Sequence, residues 1–273
     1  MISMPTRQIP KEQDRVLTRN ELADSHCHLD IFTDLSAVRE SIGRGVLTII
    51  TDGVDMRSNA RALEIADNVN IFPALGVDPE HVPGMQDREL DFNVDMIRQN
   101  SRRIVAIGEI GLDFMLAKSE KERDMQRVVF GRMLDLANEL DLPVSVHARD
   151  SMDAVIPILR RKRVKRVHLH FFSGSGSHVD EVVKLGYMIS IPPVPSAARR
   201  VAIERVPLQQ IMAETDCPIV GKTPYDVERS VRIIAETKGI KYEEACKAIV
   251  ENTKRFFAIE GKVNKRKSPL IRQ

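Results

Sequence analysis

The chain has 273 residues, enough for one large α/β domain or two small ones with an ample core. Lys and Arg number 41 against 39 Asp and Glu, a formal charge of +2 that excludes nucleic-acid binding by bulk charge and leaves only local patches. No apolar run approaches the roughly 18–20 residues of a membrane span.

Residues 1–20 are polar, with little apolar periodicity and no apolar centre of a secretory signal, and read as an N-terminal extension. Cys27, Cys217 and Cys246 lack zinc-finger spacing and fit a reducing compartment, so the cytoplasm is the expected location. From Glu21 onward, short runs rich in Val and Ile recur: Glu21–Leu29, Gly45–Gly53, Asn70–Val77, Ile104–Asp113, Pro143–Arg149, Arg166–Gly174, Gly186–Pro192 and Gln210–Pro218. Helical segments lie between most of them. Ser119 with Glu122 forms a capping box, after which Met125, Val129, Met133, Leu136 and Leu140 keep helical spacing. Tyr242 to Phe257 places Ala245, Ala248, Ile249, Asn252 and Phe256 on one face. Eight alternations without a repeat or composition break predict a single α/β domain over 21–260, a (β/α)8 TIM-like barrel. An open doubly wound sheet is the alternative, but no G-x-G-x-x-G follows the first run. Residues 261–273 form a tail with five basic residues and no acidic one, expected to be disordered and to make weak, salt-sensitive contacts with an acidic partner.

A barrel places its chemistry at the C-terminal ends of its strands. The first run ends in Asp24-Ser25-His26-Cys27-His28-Leu29-Asp30, where alternation on a strand points His26 and His28 the same way. Paired neutral imidazoles suit a divalent transition metal. The other runs end in similar chemistry: Asp78 follows the third, Glu109 lies late in the fourth, and His147, His170 and Asp216 mark the fifth, sixth and eighth. Four histidines and two carboxylates are thereby expected at one mouth. His168, two residues before His170, reads as a hydrogen-bonded core histidine, and His81 as a loop residue. Cys27 and Cys217 read as packed thiols. Asp24, Asp30 and Asp113 stand between orienting the histidines and ordinary turn duties.

With these residues, the sequence resembles the TatD-type metal-dependent deoxyribonucleases, within the wider amidohydrolase-like barrels. The likeness runs from about Glu21 to Phe257. It rests on the first-run motif above, on Gly108-Glu109-Ile110-Gly111-Leu112-Asp113 and on Leu142-Pro143-Val144-Ser145-Val146-His147-Ala148-Arg149-Asp150. It rests also on His170-Phe171-Phe172-Ser173-Gly174 and Glu214-Thr215-Asp216-Cys217-Pro218, with Asn252, Phe256 and Phe257 in the closing helix. Two positions depart from the family's pattern. Gly76-Val77-Asp78-Pro79 has an acid where the family has histidine, and Gly221-Lys222-Thr223-Pro224 lacks the family's Arg and Asn.

The resemblance implies two divalent ions (Mg²⁺, Mn²⁺ or Zn²⁺), one held by His26, His28 and Asp216, the other by His147 and His170, with Glu109 bridging. An anion between two close dications offsets their repulsion. It also implies a hydroxide held on the metals as nucleophile, with Asp216 as base. DNA is the expected substrate, attacked at ends or in single strands. Arg149, Ser173, Lys222 and Asp78 are the expected substrate contacts, the Gly174 and Gly176 backbone joins Ser173, and Arg199 and Arg200 are placed to follow a nucleic-acid backbone. Hydrolysis of C–N or C–O bonds in a small molecule (amide, lactone or ester) by the same centre is the alternative reaction, and a non-enzymatic binding module the alternative role. The basic run Arg160-Arg161-Lys162-Arg163 with Lys165 and Arg166 falls before the sixth strand, on the face away from the mouth, and reads as a solvated surface.

Overall fold

Each of the eight apolar runs forms a strand in the computed structural model, which describes residues 20–259. The strands are β1 (Leu22–Cys27), β2 (Val46–Gly53), β3 (Ile71–Leu75), β4 (Ala106–Asp113), β5 (Val144–Arg149), β6 (Val167–Leu169), β7 (Met188–Ile191) and β8 (Ile211–Ala213). They pair in parallel, in chain order. The ring closes where the two ends of the sheet meet: Asp216 N donates to His26 O at 3.0 Å, and His28 N to Cys217 O at 2.8 Å. This is a (β/α)8 barrel and not an open sheet. The expected extension and basic tail, apart from Asn20, lie outside the described residues.

Helices α1 (Ser36–Gly43), α2 (Met56–Ile65), α3 (Asp87–Gln99), α4 (Glu120–Leu140), α5 (Met152–Lys162), α6 (Gly176–Leu185), α7 (Ala197–Arg205), α8 (Val227–Lys238) and α9 (Tyr242–Phe256) cover the outside. The Ser119–Glu122 capping box opens α4: Glu122 N donates to Ser119 Oγ at 3.2 Å, and Ser119 N to Glu122 Oε2 at 2.8 Å. Alternation sorts the strand side chains. Ile49 faces the helix layer, whereas Ile50, Phe72, Ala106, Met188 and Met212 cluster with Phe256 and Phe257 at the end of α9. Each large apolar side chain so buried stabilises the fold by about 1.5–3 kcal/mol. Asn252 ties α9 to the start of β8, donating from Nδ2 to Leu208 O at 2.7 Å and Ile211 O at 2.8 Å.

Two glycines let the strand ends converge. A Cβ on Gly76 would lie 2.2 Å from Glu109 O, and one on Gly111, where φ is +147°, would lie 2.0 Å from His147 O. Only glycine allows that approach. The basic run falls as expected at the end of α5 and before β6, where Arg160 pairs with Glu181 (3.0 Å), Lys162 with Asp135 (2.7 Å) and Lys165 with Asp141 (3.7 Å).

Candidate metal centre

Several strands are shorter than the apolar runs that predict them, and the residues left over form the rim. The β6 ladder ends at Leu169, so His170 and Phe171 turn out of the sheet, Phe171 with φ of +48°. Asp216 follows β8 by three residues with φ of +50°. Left-handed backbone outside glycine costs energy and collects where side chains must be aimed.

Glu109 stands at the centre of the rim. Its Oε1 lies 2.9 Å from His147 Nδ1 and 2.8 Å from His170 Nε2. Its Oε2 lies 3.5 Å from His26 Nε2 and 3.4 Å from His28 Nε2. Asp216 Oδ1 completes the near side, 3.7 Å from His26 Nε2 and 3.4 Å from His28 Nε2. The structure thus brings together all six of the side chains expected at the mouth. All but His147 are buried, and His147 is partly so.

Around them stands an outer set of acceptors. Asp52, at the end of β2, puts Oδ2 3.2 Å from His26 Nδ1, and its backbone oxygen is 3.1 Å from His28 Nδ1. Asp113 Oδ2 lies 3.2 Å from His147 Nε2. Glu214 accepts from Phe171 N at 2.8 Å and from Ser190 Oγ at 2.5 Å, and its Oε2 stands 3.9 Å from His170 Nδ1. Below it, His168 bridges Ser145 Oγ (3.2 Å) and Ser190 Oγ (2.6 Å), the core histidine its position predicts. Asp52 and Glu214 stand beside the rim imidazoles and are not among the site residues expected from the sequence. The available signal was an acid at the close of an apolar run.

Electrostatics make this a trap for positive charge. Burial pulls the imidazoles of His28 and His147 toward neutrality, but neighbouring carboxylates outweigh it. The Asp216 hydrogen bond and the charges of Glu109 and Asp216 push His28 up to about 9. Asp113, Glu109 and Asp78 push His147 up to about 10. Glu109 is held well below the usual carboxylate range, because the charges of His170 and His26 and hydrogen bonds from His147 and His170 overcome its burial. Burial, aided by the charge of His26, lowers His170. With no metal present these carboxylates favour the protonated forms of His28 and His147, and a metal binding at the same atoms would displace those protons.

The donor set fits divalent cations. His26 Nε2 is fully buried and has no hydrogen-bond partner, as does His170 Nδ1. Such atoms are costly to leave unpaired. Ligand atoms converge within 4.8 Å in three overlapping groups at this rim: His26, His28 and Asp216; His26, Glu109 and His170; and Asp78, Glu109 and His147. Mixed imidazole and carboxylate donors suit Zn²⁺ and Mn²⁺.

The rim opens on a cavity of about 1280 Å³ that Asp78, Arg149 and Ser173 help to line, together with His81, Arg57, Arg61, Phe32 and Phe171. Lys222 is not on this wall. The loop after β8 presents Ile219 and Val220 instead, while the Lys222 backbone N–H donates to Asp226 Oδ2 at 2.7 Å. Gly176, expected to offer backbone to substrate, has its carbonyl taken by Arg205 Nη1 at 3.2 Å. Arg199 and Arg200 part company. Arg199 is buried, its Cζ 4.6 Å from the Phe171 ring centre, whereas Arg200 is outside and paired with Glu204 at 3.0 Å. Asp24 is taken up by Thr215, and it is Asp52 that lies against both first-strand rings, while Asp30 lines the cavity. Cys27 and Cys217 are buried thiols.

A parallel barrel carrying histidines and carboxylates on its C-terminal rim defines a metal-dependent hydrolase. Within that class, this chain belongs to the TatD related DNase family, whose model matches residues 23–258. It is 31% identical over 258 residues to human deoxyribonuclease TATDN3, covering 86% of this chain and 94% of that one. It is also 31% identical to the metal-dependent hydrolase YabD of Bacillus subtilis, covering 87% and 99%. Among solved structures, the Escherichia coli TatD homologue YjjV superposes with a TM-score of 0.78 at 28% identity, covering 87% of this chain and 98% of that one. Among the described residues, no helix is long and apolar enough to cross a membrane.

Proposed function

We propose that this protein is a cytoplasmic two-metal phosphodiesterase that acts on DNA, at strand ends or on single strands. The observation that carries the reading is the placement of Glu109, with Oε1 against His147 and His170 and Oε2 against His26 and His28. A carboxylate so placed is suited to lie between two cations and offset their mutual repulsion. In this reading His26, His28 and Asp216 hold one ion, and His147 and His170 the other. When bound, the ions stabilise charge on the phosphoryl oxygens and lower the pKa of water from about 15.7 toward about 7.

The chain's own groups do the rest. Against the pull of burial, the His28 hydrogen bond and the charges of His26, His170 and His28 hold the Asp216 carboxyl below its ordinary value, so it is ionised and able to accept a proton from the attacking water. Arg149, half exposed on the cavity wall, offers a paired hydrogen-bond clamp to a phosphate. Ser173 adds a hydroxyl donor on the same wall. Phe32, Phe171 and Ile219, which is 65% exposed, supply the apolar area that a nucleotide base needs. Family membership and the names of its relatives support the choice of DNA.

The test is a metal-titrated assay on single strands labelled at the 5′ or the 3′ end, beside a panel of esters, lactones and cyclic amides. Metal-dependent release of labelled nucleotides is expected, and which label is released first gives the polarity. Turnover of the small-molecule panel with intact DNA would replace this reading with C–N or C–O hydrolysis.

A further inference from the structure

The residue after β3 and Val77, Asp78, is the rim acid whose partners are least explained by a substrate-binding role. It is 6% exposed, and its Oδ1 is buried without a hydrogen-bond partner. Its Oδ2 faces His81 Nδ1 at 3.7 Å. One Asp78 oxygen lies within 4.8 Å of ligand atoms of both Glu109 and His147. Local structure holds it there. Asp78 N donates to Val54 O at 3.0 Å, and its carbonyl accepts from His81 N at 3.0 Å. The next residue, Pro79, has its carbonyl bound by Gln126 Nε2 at 3.0 Å, and Gln126 Oε1 in turn accepts from Asp113 N at 3.0 Å. One side chain from α4 therefore clamps the loop after β3 to the end of β4, which carries Glu109.

A carboxylate oxygen fixed in a buried position with no donor is costly unless a cation meets it. In the mouth of a phosphodiesterase the cost doubles as a functional problem, because a bare carboxylate repels the substrate's phosphate. We propose that Asp78 is itself a metal ligand: it joins Glu109, His147 and His170 in holding the second divalent ion, and His81 steadies its other oxygen. This rests on the two-ion reading above and goes beyond it by adding a ligand and a preference. With Asp78, that ion has two carboxylates beside the imidazoles of His147 and His170, where Glu109 alone would leave one, and the added oxygen shifts the site toward a harder cation, Mn²⁺ or Mg²⁺.

The experiment is Mn²⁺ titration of the metal-stripped full chain, by calorimetry and by electron paramagnetic resonance, with Asp78→Asn and, as a control for local charge, Glu80→Gln. Glu80 also lines the mouth but belongs to none of the converging ligand groups. The parent is expected to bind two Mn²⁺. D78N is expected to keep one site at parental affinity, to weaken the other at least 10-fold, and to lose less affinity for Zn²⁺ than for Mn²⁺. E80Q is expected to titrate like the parent. Two unchanged sites in D78N overturn this assignment and leave the two-ion reading standing, whereas one ion or none in the parent overturns both. Equal weakening in E80Q reduces the effect to local field and also overturns it. A metal-free D78N that melts well below the metal-free parent identifies a structural carboxylate, which overturns the assignment by a readout independent of metal.

Discussion

Asp24 grips Thr215 twice across the barrel seam: Thr215 Oγ1 lies 2.5 Å from Asp24 Oδ2, and Thr215 N donates to Asp24 Oδ1 at 2.9 Å. The pair joins the first strand to the segment after the last. Burial dominates the Asp24 carboxyl and pushes it up to about 7, against the hydrogen bonds from Thr215 and His26 that pull the other way. In the unfolded chain an aspartate titrates near 3.9. Between these values the folded protein holds a proton that the unfolded chain has lost. This group therefore favours folding most below about pH 4, and its contribution falls as pH rises, with the whole loss in place above about 7. The slope in that window is at most about 1.4 kcal/mol per pH unit. Asp24→Asn keeps an acceptor for Thr215 N and removes the titration. Urea midpoints of metal-free parent and variant at pH 5, 6, 7 and 8 are expected to diverge in the variant's favour as pH rises. Parallel curves would refute the buried-proton account.

Glu109→Gln keeps the shape of the central side chain but removes its charge. Both imidazole pairs then face a neutral amide, and the proposed two-ion centre would lose the charge that offsets its cations. Hydrolysis is expected to fall at least about 100-fold, about 2.7 kcal/mol of lost transition-state stabilisation. Metal stoichiometry, read by elemental analysis after desalting, is expected to drop with it. Parental turnover in the variant would sink the shared-carboxylate scheme.

Asp52 does not line the rim cavity, so its effect on the site is expected to pass through His26 and His28. Replacing it with Ala frees His26 Nδ1 from its acidic neighbour at 3.2 Å. Losses of such outer partners typically cost about 10–100-fold in metal affinity or activity. Competition against a coloured chelator measures this directly. Restoration by Asp52→Glu, or by excess metal, separates positioning from misfolding.

Chelation is expected to lower the melting temperature, since an ion that binds only the native chain stabilises it by about 2.7 kcal/mol at 100 times its Kd. Adding Mn²⁺ back after EDTA should restore the parent's melt. An unchanged melt at saturating Mn²⁺ would show that the rim does not take the metal.

At the opposite pole of the molecule, Asn252→Ala strips donors from two carbonyls, Leu208 O and Ile211 O. Leaving them unpaired is expected to cost about 2–3 kcal/mol in urea unfolding. Turnover per folded molecule should stay at the parental value, because α9 contributes no side chain to the rim. A variant as stable as the parent would show that water replaces the amide without loss.

Much of the rim is legible in the sequence, for one physical reason: parallel strands all end on the same face. His26, His28, Glu109, His147, His170 and Asp216 could be gathered by finding where each apolar run stops. What could not be read depends on how loops travel. Lys222 and Arg200 carry the right charge at plausible places, yet Lys222 leaves the cavity wall to Ile219 and Val220, and Arg200 points outward to Glu204. Asp52 escaped for a different reason. Its environment is a histidine on the neighbouring strand, and no local pattern in Ile49-Ile50-Thr51-Asp52-Gly53 reveals which imidazole lies across the ladder.

The seam has a further consequence for how the molecule comes into being. His26 and His28 are made early and Asp216 late, and the backbone bonds from Asp216 and His28 that bring them face to face also complete the ring. A nascent chain halted before its final strand therefore carries five of the six rim groups but no finished centre.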